Sequence, residues 1–389
     1  MKEIWEKIIG ITKGMKELSH IGIANIAGKA IAAIFWFFLA ALLGAEAYGE
    51  VSYLIATATI VAGLSIVGGT QTITVYTAKK ISIQPPVYLI ALILGTIGSI
   101  IIYFILDNIV ISFFAMGYII FNLIVANLLG KKLYTKYAIY FIIQKIIFVV
   151  SATILYFIIG INGIVLGYAI SFLAFTGSMI NEFRNTELKF ALLKPRAKFM
   201  AHSYGLTIER LVSGQTDKLI IAPLFGYAIL GNYHLTFQFL SLLNMIPAIV
   251  FQYILPQDSS GISHTKLKQL TVISSIILCI SAIMITPILI PKLFPEYNQA
   301  IQLIQIMSIS TIANAINVIY SSKFYGQEKS NIVLFGQAIL IVIYISGIFI
   351  LGNYFGINGV ATAYVLSAIA QSIFFVIMSQ KFKDGKKNE

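Results

Sequence analysis

Ile159-Gly160-Ile161-Asn162-Gly163-Ile164, followed by Tyr168 and Ser171, recurs as Phe355-Gly356-Ile357-Asn358-Gly359-Val360, followed by Tyr364 and Ser367, a displacement of 196 residues. A second pair of passages, Leu43-Gly44 with Gly49 and Phe225-Gly226 with Gly231, is displaced by 182. Gly-x-Asn-Gly alone is only a favourable tight turn. A turn does not require the same Tyr and Ser downstream, however, whereas duplication of a larger unit does.

Outward from these passages the chain is a succession of apolar runs. Of its 389 residues 58% are hydrophobic and 11% charged, with a mean hydropathy of +0.89; soluble domains carry about a quarter charged residues. At about 20 residues per span and short connections, a chain of this length is filled by a dozen helices, with no room for an extramembrane domain. Runs broken by charge, Pro or Gly-Asn punctuation give twelve spans, the first at 20–44 and the last at 358–379. The expected fold is therefore an all-α integral membrane protein of about twelve transmembrane helices. Six spans per repeat is an even number, so the two repeats enter the membrane in the same direction, around a central cavity. The corresponding division is a 1–19 interfacial helix, a 20–180 six-helix lobe, a 181–202 cytoplasmic linker, a 203–379 six-helix lobe and a 380–389 basic tail.

The net charge of +12 would suggest nucleic acid in a soluble protein, but here it follows topology. All but five of the 27 basic residues fall in alternate connections or the termini, from Lys2 and Lys7 through Lys131 and Lys132 to Lys386 and Lys387, and the opposite connections hold only Lys292. Lys and Arg collect on the cytoplasmic side, so both termini are expected there, in the cell membrane. Before the first span, Ile4, Ile8, Ile11, Met15 and Leu18 alternate with lysines in a pattern suited to a helix lying along the membrane surface. Ala45-Glu46-Ala47 resembles a signal-peptidase site, but the preceding apolar run is longer than the roughly 7–15 residues of a signal core. The one cysteine, Cys279, excludes an internal disulfide.

The other four basic residues, Lys29, Lys145, Arg210 and Lys218, lie inside predicted spans together with Glu209 and Asp217. At about 2.5–3.5 kcal/mol each in lipid, such groups are expected to face protein or water. Lys29 precedes Gly44 by 15 residues, Lys145 precedes Gly160 by 15, and Arg210 precedes Gly226 by 16. At about 1.5 Å per residue the three share one depth, roughly 22–24 Å below the turn, and suggest a cationic ring. Gly22, Asn25, Lys29 and Trp36 form one polar stripe, and Ser203, Arg210, Gly214 and Asp217 another. Lys218, about 100° round its helix, is placed to pair with the opposite half. Asp217 and Glu209 are candidates for ion coupling or for structural ion pairs. Gln71 and Gln252, 181 residues apart, are candidate cavity polar groups or helix glue. Pro223 and Pro247 read as kinks, and Gly68-Gly69 as a close contact or a bend. His20, His202, His234 and His264 lack metal-site spacing, and no phosphate-cradling loop occurs, so neither a metal nor another cofactor is expected.

Several segments resemble polysaccharide flippases, of the O-antigen type, in the multidrug/oligosaccharidyl-lipid/polysaccharide exporter superfamily. They are Asp217-Lys218-Leu219-Ile220-Ile221 leading to Phe225-Gly226 and Leu230-Gly231-Asn232-Tyr233, Leu43-Gly44 to Tyr48-Gly49, Pro291-Lys292-Leu293-Phe294-Pro295-Glu296-Tyr297, and Gly356-Ile357-Asn358-Gly359-Val360-Ala361. Pro295 stands where the pattern often has Gly. The resemblance implies alternating-access transport of a lipid-linked oligosaccharide on a polyprenyl phosphate or pyrophosphate. The implied partners are membrane lipids and a glycan polymerase or glycosyltransferases, not nucleic acid, and the implied state is a monomer. Four basic and two acidic intramembrane groups favour an anionic cargo over that of the alternative, a drug or metabolite cation antiporter of the same superfamily. A second alternative, a membrane-embedded glycosyltransferase or polymerase, needs acid/base residues on an outer loop; the longest outer connection, near 291–298, has only Glu296. An enzyme is therefore not expected.

Overall fold

The computed structural model describes residues 2–262 and 264–384, and among them every regular element is a helix. In chain order these are α1 (Lys2–Ile66), α2 (Gly69–Ala78), α3 (Gln84–Leu106), α4 (Ile109–Gly130), α5 (Tyr134–Ile159), α6 (Ile161–Leu173), α7 (Thr176–Asn185), α8 (Ala197–Phe225), α9 (Tyr227–Leu243), α10 (Met245–Ser259), α11 (Thr265–Leu293), α12 (Asn298–Met307), α13 (Ser310–Gly326) and α14 (Ser330–Asp384). Eight helices among the described residues are long and apolar enough to cross a membrane, and α9 with α10 passes as a ninth, bent by 44°. Two of the eight are double: α1 breaks at Gly44 and α14 at Gly356. With the more polar α8, the twelve spans read from sequence are all present in this multi-pass membrane protein.

The four glycines that marked the duplication are the backbone breaks. Gly44 (φ 73, ψ 173) matches Gly226 (φ 87, ψ 167), and Gly160 (φ 66, ψ −142) matches Gly356 (φ 59, ψ −144). Both dihedral pairs lie where a Cβ is not tolerated. The downstream residues match too. Ser171 and Ser367 donate to the carbonyls of Tyr168 and Tyr364, and Asn162 and Asn358 each bond to another helix, through Asn108 and Gln302. The chain is thus two parallel six-helix repeats.

Other spans depart from straight rods. The second breaks at Val67-Gly68, both with positive φ. A Cβ on Gly68 would stand 2.6 Å from the Met200 carbonyl, so this glycine is both bend and close contact. The eighth breaks at Asn244, where Pro247 enters as the third residue of α10 and removes an N–H that a first turn leaves unbonded anyway. The sixth and tenth are interrupted likewise, after Leu173 and Met307. Pro223 lies within α8 without ending it.

The chain separates into two compact units that are not contiguous in sequence. The first comprises residues up to Phe38 with Glu50–Leu219, and the second Leu39–Gly49 with Ile220 onward. In the first, α4 packs on α2, α3 and α6, and α6 on α5, around an aromatic core of Phe114, Tyr118, Phe148, Tyr168 and Phe172. In the second, α13 packs on α10, α11 and α14, and α12 on α9. The second unit also contains a reciprocal contact. A Cβ on Gly49 would lie 1.9 Å from the Tyr227 carbonyl, and one on Gly231 1.8 Å from that of Ala45. Ala45 and Gly49 become Tyr227 and Gly231 under the 182-residue shift, so the two repeats present equivalent turns to each other about a local pseudo-two-fold axis.

Candidate functional site

Each intramembrane cation of the sequence belongs to the first unit, and the neighbouring small and aromatic residues decide where it sits. Gly28 on α1 lies against α5: a Cβ there would be 2.6 Å from the Phe141 ring and 3.7 Å from Cγ of Lys145. Lys29, the next residue, is exposed. The absence of a side chain at position 28 therefore brings Lys29 and Lys145 to one level of the α1–α5 pair.

The ammonium of Lys145 lies 5.4 Å from the Phe141 ring centroid and 5.6 Å from that of Tyr168. The electron-rich faces of the rings attract it, by about 0.5–2 kcal/mol each. Tyr168 is in turn stacked on Phe148 with centroids 3.8 Å apart, and Phe35 meets Phe148 edge-on at 4.9 Å. An aromatic floor thus runs from α1 through α5 to α6. It fixes one cation without supplying a counter-ion.

Arg210 is exposed on α8, with its Nε donating to the Leu206 carbonyl at 3.2 Å. The helix is held to α1 by Leu211 against Gly63 and by the Met200–Tyr204 backbone against Gly68. Among the described residues neither Lys29, Lys145 nor Arg210 forms an ion pair with a carboxylate.

Lys218 behaves differently. Its ammonium donates to the Gly214 carbonyl at 2.8 Å and to the Gln215 amide at 3.3 Å, and lies 3.6 Å from the Asp217 carboxylate. Lys218 is 9% exposed and Asp217 6%. Instead of reaching to the opposite half, Lys218 folds back along its own helix, because Gly214 leaves that carbonyl uncovered. Glu209 accepts from Ser213. Gln71 accepts from Thr70 on the same helix. Gln252 is exposed and belongs to the second unit. The side chain of Asn25 lies outside the described residues.

Two features escaped the sequence reading. Tyr168 was visible as a repeat marker, but its place under Lys145 depends on how α5 packs on α6. In the second unit, α10, α13 and α14 border an open cavity of about 420 Å³ in which Asn and Gln side chains stand among apolar ones, with no charged residue in the lining. Asn314 and Asn317, three residues apart within a predicted span, were the available signal, since such spacing puts both on one helix face.

No protein-family model and no curated protein matches the sequence. Solved structures do match in fold. A lipid II flippase, MurJ, in an inward closed conformation superposes with a TM-score of 0.75 at 13% identity, over 92% of this chain and 87% of that one. An inward-facing multidrug resistance MATE transporter of the MOP superfamily gives 0.64 at 13% identity, over 92% and 96%. A MOP superfamily transporter from Pyrococcus furiosus, described as having a binding pocket of reversed polarity, gives 0.54 at 12% identity, over 96% of each chain.

Proposed function

We propose that the protein is a transporter that flips a lipid-linked, anionic oligosaccharide across the cell membrane. The observation that carries this reading is the set of basic residues in the first unit, Lys29, Lys145 and Arg210, none of them paired with a carboxylate among the described residues and one bedded on aromatic rings. An unpaired cation in a membrane protein is costly, and phosphate is the group that most fully satisfies it, through short charge-assisted hydrogen bonds. The shared fold with a lipid II flippase supports the same reading. A cation antiporter would present a free carboxylate instead, and Asp217 is buried beside Lys218.

In this scheme Lys29 and Arg210 gather the phosphate or pyrophosphate, Lys145 adds a third positive charge, and the polyprenyl chain stays in the lipid. With both termini cytoplasmic, outward movement of a negative head is favoured by about 2.3 kcal/mol per charge per 100 mV of inside-negative potential. The test is flipping of a fluorescent polyprenyl-pyrophosphate-linked sugar in proteoliposomes. Lys29→Ala and Arg210→Ala should each lower the rate at least tenfold with unchanged protein incorporation, and collapse of the potential should slow the wild type. Wild-type rates in both variants overturn the assignment of the cations; a rate indifferent to potential overturns the electrical drive.

A further inference from the structure

We infer that the cavity in the second unit is a binding site for an uncharged, hydroxyl-rich group, and that Gln371, Gln337 and Asn314 select neutral sugar units over charged ones. The inference deepens the flippase reading and rests on it for the biological ligand; the chemistry of the cavity stands by itself.

The decisive residue is Gln371 on α14, only 2% exposed. Its orientation is set by a chain of bonds. The Ala368 carbonyl can only accept, so it fixes the Asn317 amide nitrogen toward itself at 3.2 Å. The same nitrogen donates to the Gln371 carbonyl at 2.9 Å, and the Asn317 carbonyl accepts from Ser372 at 2.7 Å. Gln371, one of the residues lining the cavity, therefore turns its NH2 away from Asn317; that nitrogen has no hydrogen-bond partner and no exposed surface in this rotamer, so a ligand would bond it by turning the amide. A buried donor left unmade costs about 1–3 kcal/mol. A fold that spends two other side chains holding it in this state is consistent with a ligand that accepts from it.

The remaining unspent groups point to the same chemistry. Gln337, half-buried on α14, makes no hydrogen bond with any described residue, so its amide offers both donors and an acceptor. Asn314 gives its nitrogen to Asn244 at 3.4 Å and keeps its carbonyl free, and the Ser321 hydroxyl on the same wall is likewise unengaged. Donors and acceptors are interspersed and no charge lines the cavity, so a carboxylate or phosphate would enter without a counter-charge, and an ammonium without an anion. Sugar hydroxyls, which donate and accept together, match both. Phe251 and Tyr325 add ring surface to a lining whose remaining members, Pro247, Ala248, Val318, Val333 and Leu340, are apolar; against such surface the apolar C–H face of a pyranose packs. The volume falls in the range of roughly 300–1,000 Å³ that holds small-molecule ligands.

Purified full-length protein in nanodiscs, probed by saturation-transfer NMR with glucose, galactose, N-acetylglucosamine and cellobiose against glucuronic acid and glucose 6-phosphate, tests this. Transfer to at least one neutral sugar is expected, exceeding that to both charged ones and falling at least fivefold in Gln371→Leu and in Gln337→Leu. Gln337 has no internal bond to lose, so its variant tests the site even where Gln371→Leu perturbs packing. No transfer to any neutral sugar, stronger transfer to the charged sugars, or wild-type transfer in Gln337→Leu overturns the inference. Free sugars carry no lipid and need no transport. Failure here thus leaves the flipping assay of Lys29 and Arg210 standing, while retained sugar binding without their effect on flipping overturns the cationic reading instead.

Discussion

Lys218 and Lys145 show how the same residue type takes two roles within one unit. Lys218 is consumed by its own helix: a carbonyl, an amide and the Asp217 carboxylate surround it. Lys145 keeps its charge available over two rings. The first is a structural group, and its removal should read out as stability. Lys218→Met takes the cation away from beside the buried Asp217 carboxylate, which keeps the Lys218 backbone N–H, at an expected cost of up to about 3–5 kcal/mol, and Lys218→Met with Asp217→Leu should recover most of that. Thermal unfolding of the protein in detergent distinguishes the two variants. Equal loss in single and double variants would show that the pair carries no coupling. Both residues carry the same charge and lie in apolar runs, so hydropathy does not separate these roles; what does is Gly214, four residues before Lys218, and Tyr168, on another helix.

The breaks within helices set element-scale behaviour. Gly226 and Gly356 combine a positive φ with an extended ψ, a region essentially reserved for glycine. Gly226→Ala and Gly356→Ala should each cost about 1–3 kcal/mol although no neighbour lies within 4 Å of the new methyl group. Gly231→Ala should cost more, because its Cβ would fall 1.8 Å from a carbonyl oxygen on the facing turn. Gly205, in the interior of α8 with open space around it, is the control: alanine there should be neutral or stabilising by about 0.5–1 kcal/mol. Chemical or thermal unfolding of all four variants checks the order, and a Gly231→Ala protein as stable as Gly205→Ala would remove the close approach. The repeat turns were legible in the sequence because a positive φ is a local demand that only glycine meets cheaply. The bend at Asn244 was signalled by Pro247, but the one after Met307 was not, since apolar periodicity continues across it.

For the whole molecule the two compact units differ in charge. The first carries the exposed intramembrane cations Lys29 and Arg210 and the aromatic floor; the cavity of the second is lined by Asn, Gln and Ser among apolar side chains, with no charged residue. Orientation belongs to this scale as well. Alternate connections hold nearly all the lysines and arginines, so a C-terminal green fluorescent protein fusion should fluoresce and a C-terminal alkaline phosphatase fusion should be inactive. The opposite pattern would invert the topology and, with it, the direction in which the membrane potential acts.

The primary structure by itself determined that the chain crosses a membrane about twelve times in two parallel repeats. A bilayer offers the backbone no water, so every long apolar run must become a helix, and the glycine turns need no distant partner. Only the tertiary structure decided which charges are spent and which are free, and that Gln371, at the wall of a cavity, keeps a buried nitrogen unanswered. Those outcomes depend on which helices pack together. The residues that meet are separated by tens of positions along the chain, and neutral Asn and Gln leave no mark on a pattern read from hydropathy and charge.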